Sequence, residues 1–221
     1  MLICTYYTPS HAAMAAGIRD NYRACGFTDY IEWTAPQTCP SASFKQDGWN
    51  RCTAAKFLHL SDMPADYRKV LFVDADVAIF PGLADWCSQW LDDNPDCIGF
   101  GDDLVQKCTG VILFERTYTA LDWFLFCHSF CDVMNQNDQD GMAILEHVSN
   151  QINPAGLDVG LEKLPGSIVS NWATIGNKTI WDGERIKMPD STLLWHANWC
   201  VGVENKQRML SQIVAGKQHL P

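Results

Sequence analysis

No stretch of this sequence is apolar for the roughly 18–20 consecutive residues that a membrane span needs. The first residues, Met1-Leu2-Ile3-Cys4-Thr5-Tyr6-Tyr7, lack the basic start of a secretory leader and meet polar residues early. Positive charge is also scarce: 16 Lys and Arg face 26 Asp and Glu, a formal charge of −10. That balance speaks against nucleic acid or anionic membrane as the main partner, and leaves any phosphate ligand in need of a metal or local cations. The ten cysteines form no CxxC pair and no regular spacing. Reduced, buried thiols are expected, rather than a disulfide framework or a zinc site. There are no repeats and no low-complexity tracts. What remains is ordinary globular material, 47% hydrophobic and 19% charged over 221 residues, enough for one domain with a large core.

The chain is organised around Val70-Leu71-Phe72-Val73-Asp74-Ala75-Asp76-Val77-Ala78-Ile79-Phe80, closed by Pro81-Gly82. An unbroken apolar run of this kind fits a strand covered on both faces. Alternation along one strand puts Asp74 and Asp76 on the same side, where two carboxylates repel unless a cation lies between them. Open α/β sheets bind ligands at the carboxyl ends of their strands, and this pair falls there. The pair therefore reads as a divalent-metal site.

Before it, residues 2–8 read as a first strand, 11–25 as a helix capped by Ser10, 27–33 as a strand and 49–61 as a helix. This order, β-α-β-α-β, implies parallel strands with right-handed crossovers. After it, helices are expected near 83–92, 117–134, 138–149 (capped by Asp138) and 203–215. Strands are expected near 97–101 and 109–115, with shorter ones near 161–164 and 172–181. The region 150–190 is irregular, as substrate-binding halves often are. Arg51 and Lys56 lie on the 49–61 helix, where they reach phosphate or sugar or simply face solvent.

Together these pieces resemble the nucleotide-diphospho-sugar transferases of the GT-A fold. Four motifs carry the resemblance, in order: Asp74-Ala75-Asp76; the segment Cys108-Thr109-Gly110-Val111-Ile112-Leu113-Phe114; Asp138-Gln139-Asp140; and His196-Ala197-Asn198-Trp199 followed by Gly202 and Lys206. The chain looks most like the short plant, algal and large-DNA-virus members, chlorella-virus ones included. The resemblance implies a single α/β domain over 1–221 with a mostly parallel central sheet flanked by helices. Residues to about 105 would form the nucleotide-binding half and the rest the donor-sugar and acceptor half. It implies transfer of a hexose or deoxyhexose from a UDP-sugar to a hydroxyl of a glycan or glycoprotein.

In that reading Asp76 is the direct carboxylate ligand of Mn²⁺ or Mg²⁺, Asp74 reaches either the ribose or, through water, the metal, and His196 adds an imidazole, which favours Mn²⁺. Lys206 sets a charge on the departing diphosphate, Gly202 lets the backbone approach it, and Ala75 and Gly110 count among the donor-binding residues. Thr5 and Tyr7 hold base and ribose, and Gln139 grips the donor sugar. If the enzyme inverts, Asp140 is the first candidate for general base and Asp138 the second. If it retains configuration, both only position the sugar. The family usually shows Asn-Ser where this chain has Cys108-Thr109, so contacts do not carry over to those two positions. A cytoplasmic monomer or weak dimer is expected, because Golgi members carry an anchor.

Two rival readings stand beside this one. The strand ending Asp74-Ala75-Asp76 also resembles the nucleophile motif of haloacid-dehalogenase phosphohydrolases, with Gly101-Asp102-Asp103 as a later acidic motif. A module that binds a sugar nucleotide without turnover is the other. Cys127, His128 and Cys131 read as core, as do Trp86, Trp90 and Trp123. Trp172, Trp181 and Trp199 either stack on sugar or pack.

Overall fold

The computed structural model describes residues 1–38, 48–103, 106–152, 159–170, 174–175, 178–179, 188–198, 200 and 202–217. The first apolar run forms β1 (Leu2–Tyr7), followed by a 3₁₀ turn (Pro9–His11), α1 (Ala12–Asn21) and β2 (Asp29–Thr34). Pro9 opens that turn, so Ser10 lies inside it and does not cap α1; the cap residue is His11, whose side chain makes no capping hydrogen bond. Then come α2 (Trp49–Ser61), β3 (Lys69–Asp74), β4 (Val77–Ile79), α3 (Leu83–Asp93), β5 (Cys97–Asp103) and β6 (Gln106–Glu115). The remainder is α4 (Tyr118–Met134), α5 (Asp138–Ile152), β7 (Gly160–Lys163), β8 (Val169–Ser170), β9 (Thr174–Ile175), β10 (Lys178–Thr179), β11 (Leu194–His196) and α6 (Val203–Lys217).

The central sheet has the order β2-β1-β3-β6-β5-β7. β1 is parallel to β2 and β3, and β5 to β7, whereas β6 runs antiparallel to both neighbours. The sheet is thus mostly parallel with one reversed strand. A reversed strand buried on both faces carries the same continuous apolar pattern as a parallel one, so sequence does not distinguish them. On one face, Phe57 of α2 and Trp123 and Phe124 of α4 pack against Phe72, Phe100 and Phe114. On the other, Ile18 of α1 and Leu83, Cys87 and Leu91 of α3 meet Ile3, Leu71 and Val73.

The 70–80 run is not one strand. β3 stops at Asp74, the chain bends through Ala75 and Asp76, and β4 enters a second sheet of order β4-β11-β8. α6 closes that sheet, burying Met209 and Ile213 against Ala78, Phe80 and Trp195. Within the expected strand region 172–181 the described residues form β9 and β10, and Trp172, Trp181 and Trp199 lie outside the described residues. Among the described residues nine cysteines are free and most are buried, as the scattered spacing predicts. No described helix is long and apolar enough to cross a membrane.

Candidate active site

The second sheet assembles the site. β11 pairs antiparallel with β4 in the register His196↔Val77, and Ala197 N–H donates to Asp76 O at 2.9 Å. This ladder carries a histidine from 120 residues downstream to the bend that holds the acids. His196 Nε2 comes within 3.2 Å of Asp76 Oδ1. Asp74, at the carboxyl end of β3, completes a group in which one ligand atom from each of Asp74, Asp76 and His196 lies within 4.8 Å of the others. The two acids converge through the bend and not through alternation along a single strand.

Gly110 shows why this group needs glycine opposite it. A Cβ there would stand 2.9 Å from Asp74 Oδ2 and 2.9 Å from His196 Nδ1, and closer still to the ring carbon between the nitrogens. The register of β5 against β6 jumps here, Phe100 pairing with Ile112 but Gly101 with Cys108. Thr109, Gly110 and Val111 leave the β5 ladder in between, an irregularity of the kind that re-aims residues beside active sites.

Cations neutralise the acids. Lys56, 3% exposed, lies 2.7 Å from Asp74 Oδ1 and 2.8 Å from Asp138 Oδ2. Its ammonium also sits 5.3 Å from the centre of the Phe72 ring. The solvated-face reading of Lys56 is therefore wrong: on α2 it falls four residues after Cys52 and four before Leu60, inside the buried stripe. Burial alone would lower the Lys56 ammonium, but Asp138 and then Asp74 outweigh it and raise it above the ordinary value. Burial would raise the Asp138 carboxyl; Lys56 and the hydroxyls of Thr109 and Thr53 reverse that and hold it below its usual range. Thr109 donates to it at 2.6 Å.

On the other side, Lys206 of α6 pairs with Asp76 Oδ2. Asp76 is 4% exposed, and burial would raise it, yet Lys206 and His196 keep it well below the ordinary carboxylate value. Burial would likewise lower His196, but Asp76 pushes it up to about 10. The protonated ring then balances the third carboxylate, and a divalent ion would take the place of that proton. Two carboxylates and an imidazole around the space kept by Gly110 suit a hard or borderline divalent cation, so the residues fit the metal that the motif implies.

The remaining predicted residues divide into several groups. Ala75 is buried in the bend and offers only its backbone. Gly202, at φ +90°, accepts the Lys206 N–H at 3.1 Å and starts α6, a conformation that favours glycine. Tyr7 is half-buried at the end of β1, whereas Thr5 is fully buried and its hydroxyl has no hydrogen-bond partner among the described residues. Arg51 is exposed, as a solvated helix face predicts.

At the start of α5, Asn137 is the cap, not Asp138: its Oδ1 accepts from Gln139 N at 3.0 Å and Asp140 N at 2.9 Å. Asp138 is thereby free to reach Lys56. Asp140 accepts from Asn137 Nδ2 at 2.7 Å, and Gln139 Nε2 donates to Asp103 at 2.6 Å.

Asn137 and His11 escaped the sequence reading as site residues, and Asp103 entered it only through the phosphohydrolase motif. His11 follows β1, where ligand-facing residues are expected; burial chiefly lowers it, while Asp76, Lys206 and Asp74 act on it across the site. Its Nδ1 lies 2.8 Å from Ser10 Oγ. In the phosphohydrolase reading Gly101-Asp102-Asp103 stands beside Asp74, but β6 intervenes between β3 and β5, and Asp102 pairs with Lys163 at 2.8 Å.

No protein-family model and no curated protein sequence matches this chain. Solved structures do. A glycosyltransferase involved in glycosylation of the major capsid of PBCV-1 superposes with TM-score 0.60 at 10% identity, covering 96% of this chain and 100% of its own. The galactosyltransferase LgtC, with donor and acceptor sugar analogs, gives TM-score 0.55 at 16% identity over 98% and 100%. Mouse xyloside xylosyltransferase 1 gives 0.52 at 9% over 89% and 97%. The chain has the GT-A fold of these glycosyltransferases.

Proposed function

We propose that this GT-A chain is a metal-dependent glycosyltransferase that moves a hexose or deoxyhexose from a UDP-sugar to a hydroxyl of a glycan or glycoprotein. The observation that carries the reading is the convergence of Asp74, Asp76 and His196 beside Gly110, with Lys206 paired to Asp76. Residues to about 105 would hold the nucleotide, and the later half the donor sugar and acceptor. Uridine is taken from the family resemblance, and Tyr7 would stack on the base.

Asp76 and His196 would ligate Mn²⁺ or Mg²⁺, with Asp74 bound directly or through water. When bound, the ion supplies Lewis-acid stabilisation to the leaving diphosphate. Lys206 is already held at that point, so its ammonium meets charge as it accumulates without further reorganisation. Lys56 fixes Asp74 and Asp138 together, which ties the metal side of the site to the start of α5.

Asp138, with its carboxylate occupied by Lys56 and Thr109, suits positioning of the sugar. Asp140 is half-buried and engaged only by Asn137 among the contacts given above, so it is the stronger candidate for a general base in an inverting reaction. Gln139, held by Asp103, stands ready to meet sugar hydroxyls. Free, mostly buried thiols fit a reducing, cytoplasmic compartment.

The test is UDP release from a panel of UDP-sugars with Mn²⁺, each with and without glycan acceptors. Release that depends on metal and falls by at least about 100-fold in Asp76→Ala, about 2.7 kcal/mol of barrier, is the expected result. No release from any donor, together with phosphatase activity lost in Asp74→Asn, would point to the hydrolase reading instead.

A further inference from the structure

The imidazole that faces Asp76 has a second neighbour on its far side. His196 Nδ1 lies 3.5 Å from Cys108 Sγ, and Asn198 Nδ2 lies 3.6 Å from the same sulfur. Cys108 is 1% exposed and belongs to β6, so three separate features meet here: the ring, the sulfur and the amide. A ring with Nε2 at a carboxylate and Nδ1 at a fixed acceptor has its plane set at both ends. Gly110 supplies the room the ring occupies and no side chain to steer it. Cys108 is the polar group that the structure sets against Nδ1.

We propose that Cys108 is a positioning residue for the metal-binding imidazole. Its sulfur accepts the His196 Nδ1–H and thereby selects the tautomer whose Nε2 lone pair is directed toward the acids. Asn198 donates to the same sulfur and holds it in place. Metal-binding histidines usually give their other N–H to a carboxylate, a backbone carbonyl or water, which fixes ring orientation and raises ligand basicity. Here a thiol fills that role, at a position where the sequence departs from the usual asparagine. This inference rests on the Asp74-Asp76-His196 metal reading.

The experiment measures Mn²⁺ binding to the full chain without nucleotide, by the electron paramagnetic resonance signal of free Mn²⁺. The proteins are wild type, Cys108→Ala, Cys108→Val, Cys108→Ser and Asp76→Ala, each first shown by thermal unfolding without metal to be folded. Cys108→Ala and Cys108→Val, which lack an acceptor, are expected to bind at least about 10-fold more weakly. Cys108→Ser, which keeps one, stays close to wild type. Wild-type affinity in both Ala and Val variants would overturn the role of Cys108 while leaving the metal site standing. A Ser variant as weak as Val would overturn it too, because size and not acceptance would then matter. No Mn²⁺ binding by wild type, or equal binding by Asp76→Ala, would remove the metal reading itself and this inference with it.

Discussion

Lys56 holds Asp74 and Asp138 in one buried cluster, and each of the three depends on the others. Removing the ammonium leaves two acids facing each other with little water to screen them. Lys56→Met is therefore expected to lose about 3–5 kcal/mol of unfolding free energy, measured by urea denaturation at pH 7. A loss under 1 kcal/mol would mean that the cluster is not held as described.

Asp138 adds a pH signature. Its folded carboxyl ionises below the ordinary value of 3.8, so its contribution is complete above that pH and is lost as pH falls through the folded value. The unfolding free energy of Asp138→Asn should accordingly decline less steeply with acid below pH 3.8 than that of wild type. Gly110→Ala tests the other wall: the new Cβ displaces the His196 ring, and Mn²⁺ affinity should drop about 10-fold or more in a protein that still folds.

Asp74, Asp76, His196 and Lys206 were legible in the sequence because a motif names them. Lys56 was not, since a lysine is normally solvated and its burial only becomes plausible once two acids are seen to face it. Cys108 registered only as a departure, because its partners lie 88 and 90 residues away.

At the scale of elements, local signals were sufficient where structure is local. α2 runs over the predicted span of 49–61, and β1 and α4 lie within a residue of expectation. The failure came at Asp74. An apolar run before and after two acids reads as one strand, yet β4 leaves the main sheet because its partner is β11, more than 110 residues later. No local pattern encodes that pairing.

The pairing carries the site, so its packing is testable. Trp195 is fully buried beside Ala78, Phe80, Met209 and Ile213, directly before His196. Trp195→Ala should cost about 3–5 kcal/mol of stability and weaken Mn²⁺ binding as β11 loosens. Unchanged Mn²⁺ affinity in a destabilised variant would separate the second sheet from the site.

For the whole molecule, alternation of strands and helices in the sequence was enough to give the α/β class and a mostly parallel sheet. The antiparallel β6 was not legible, because burial on both faces erases the pattern that distinguishes direction. The acidic chain is also explained at this scale. In the proposed reading phosphate would be held not by net charge but by two lysines set among three carboxylates, together with a divalent ion. A ligand that binds only this folded arrangement must also stabilise it. Mn²⁺ at about 100 times its dissociation constant should raise stability by about 2.7 kcal/mol.

The central claim is tested most directly by calorimetric titration of UDP, with and without Mn²⁺, into wild type and Asp76→Ala. The account predicts UDP binding that requires Mn²⁺ in wild type and is absent in the variant. UDP binding equally tight without metal, or retained in Asp76→Ala, would contradict a diphosphate held through Asp74, Asp76 and His196.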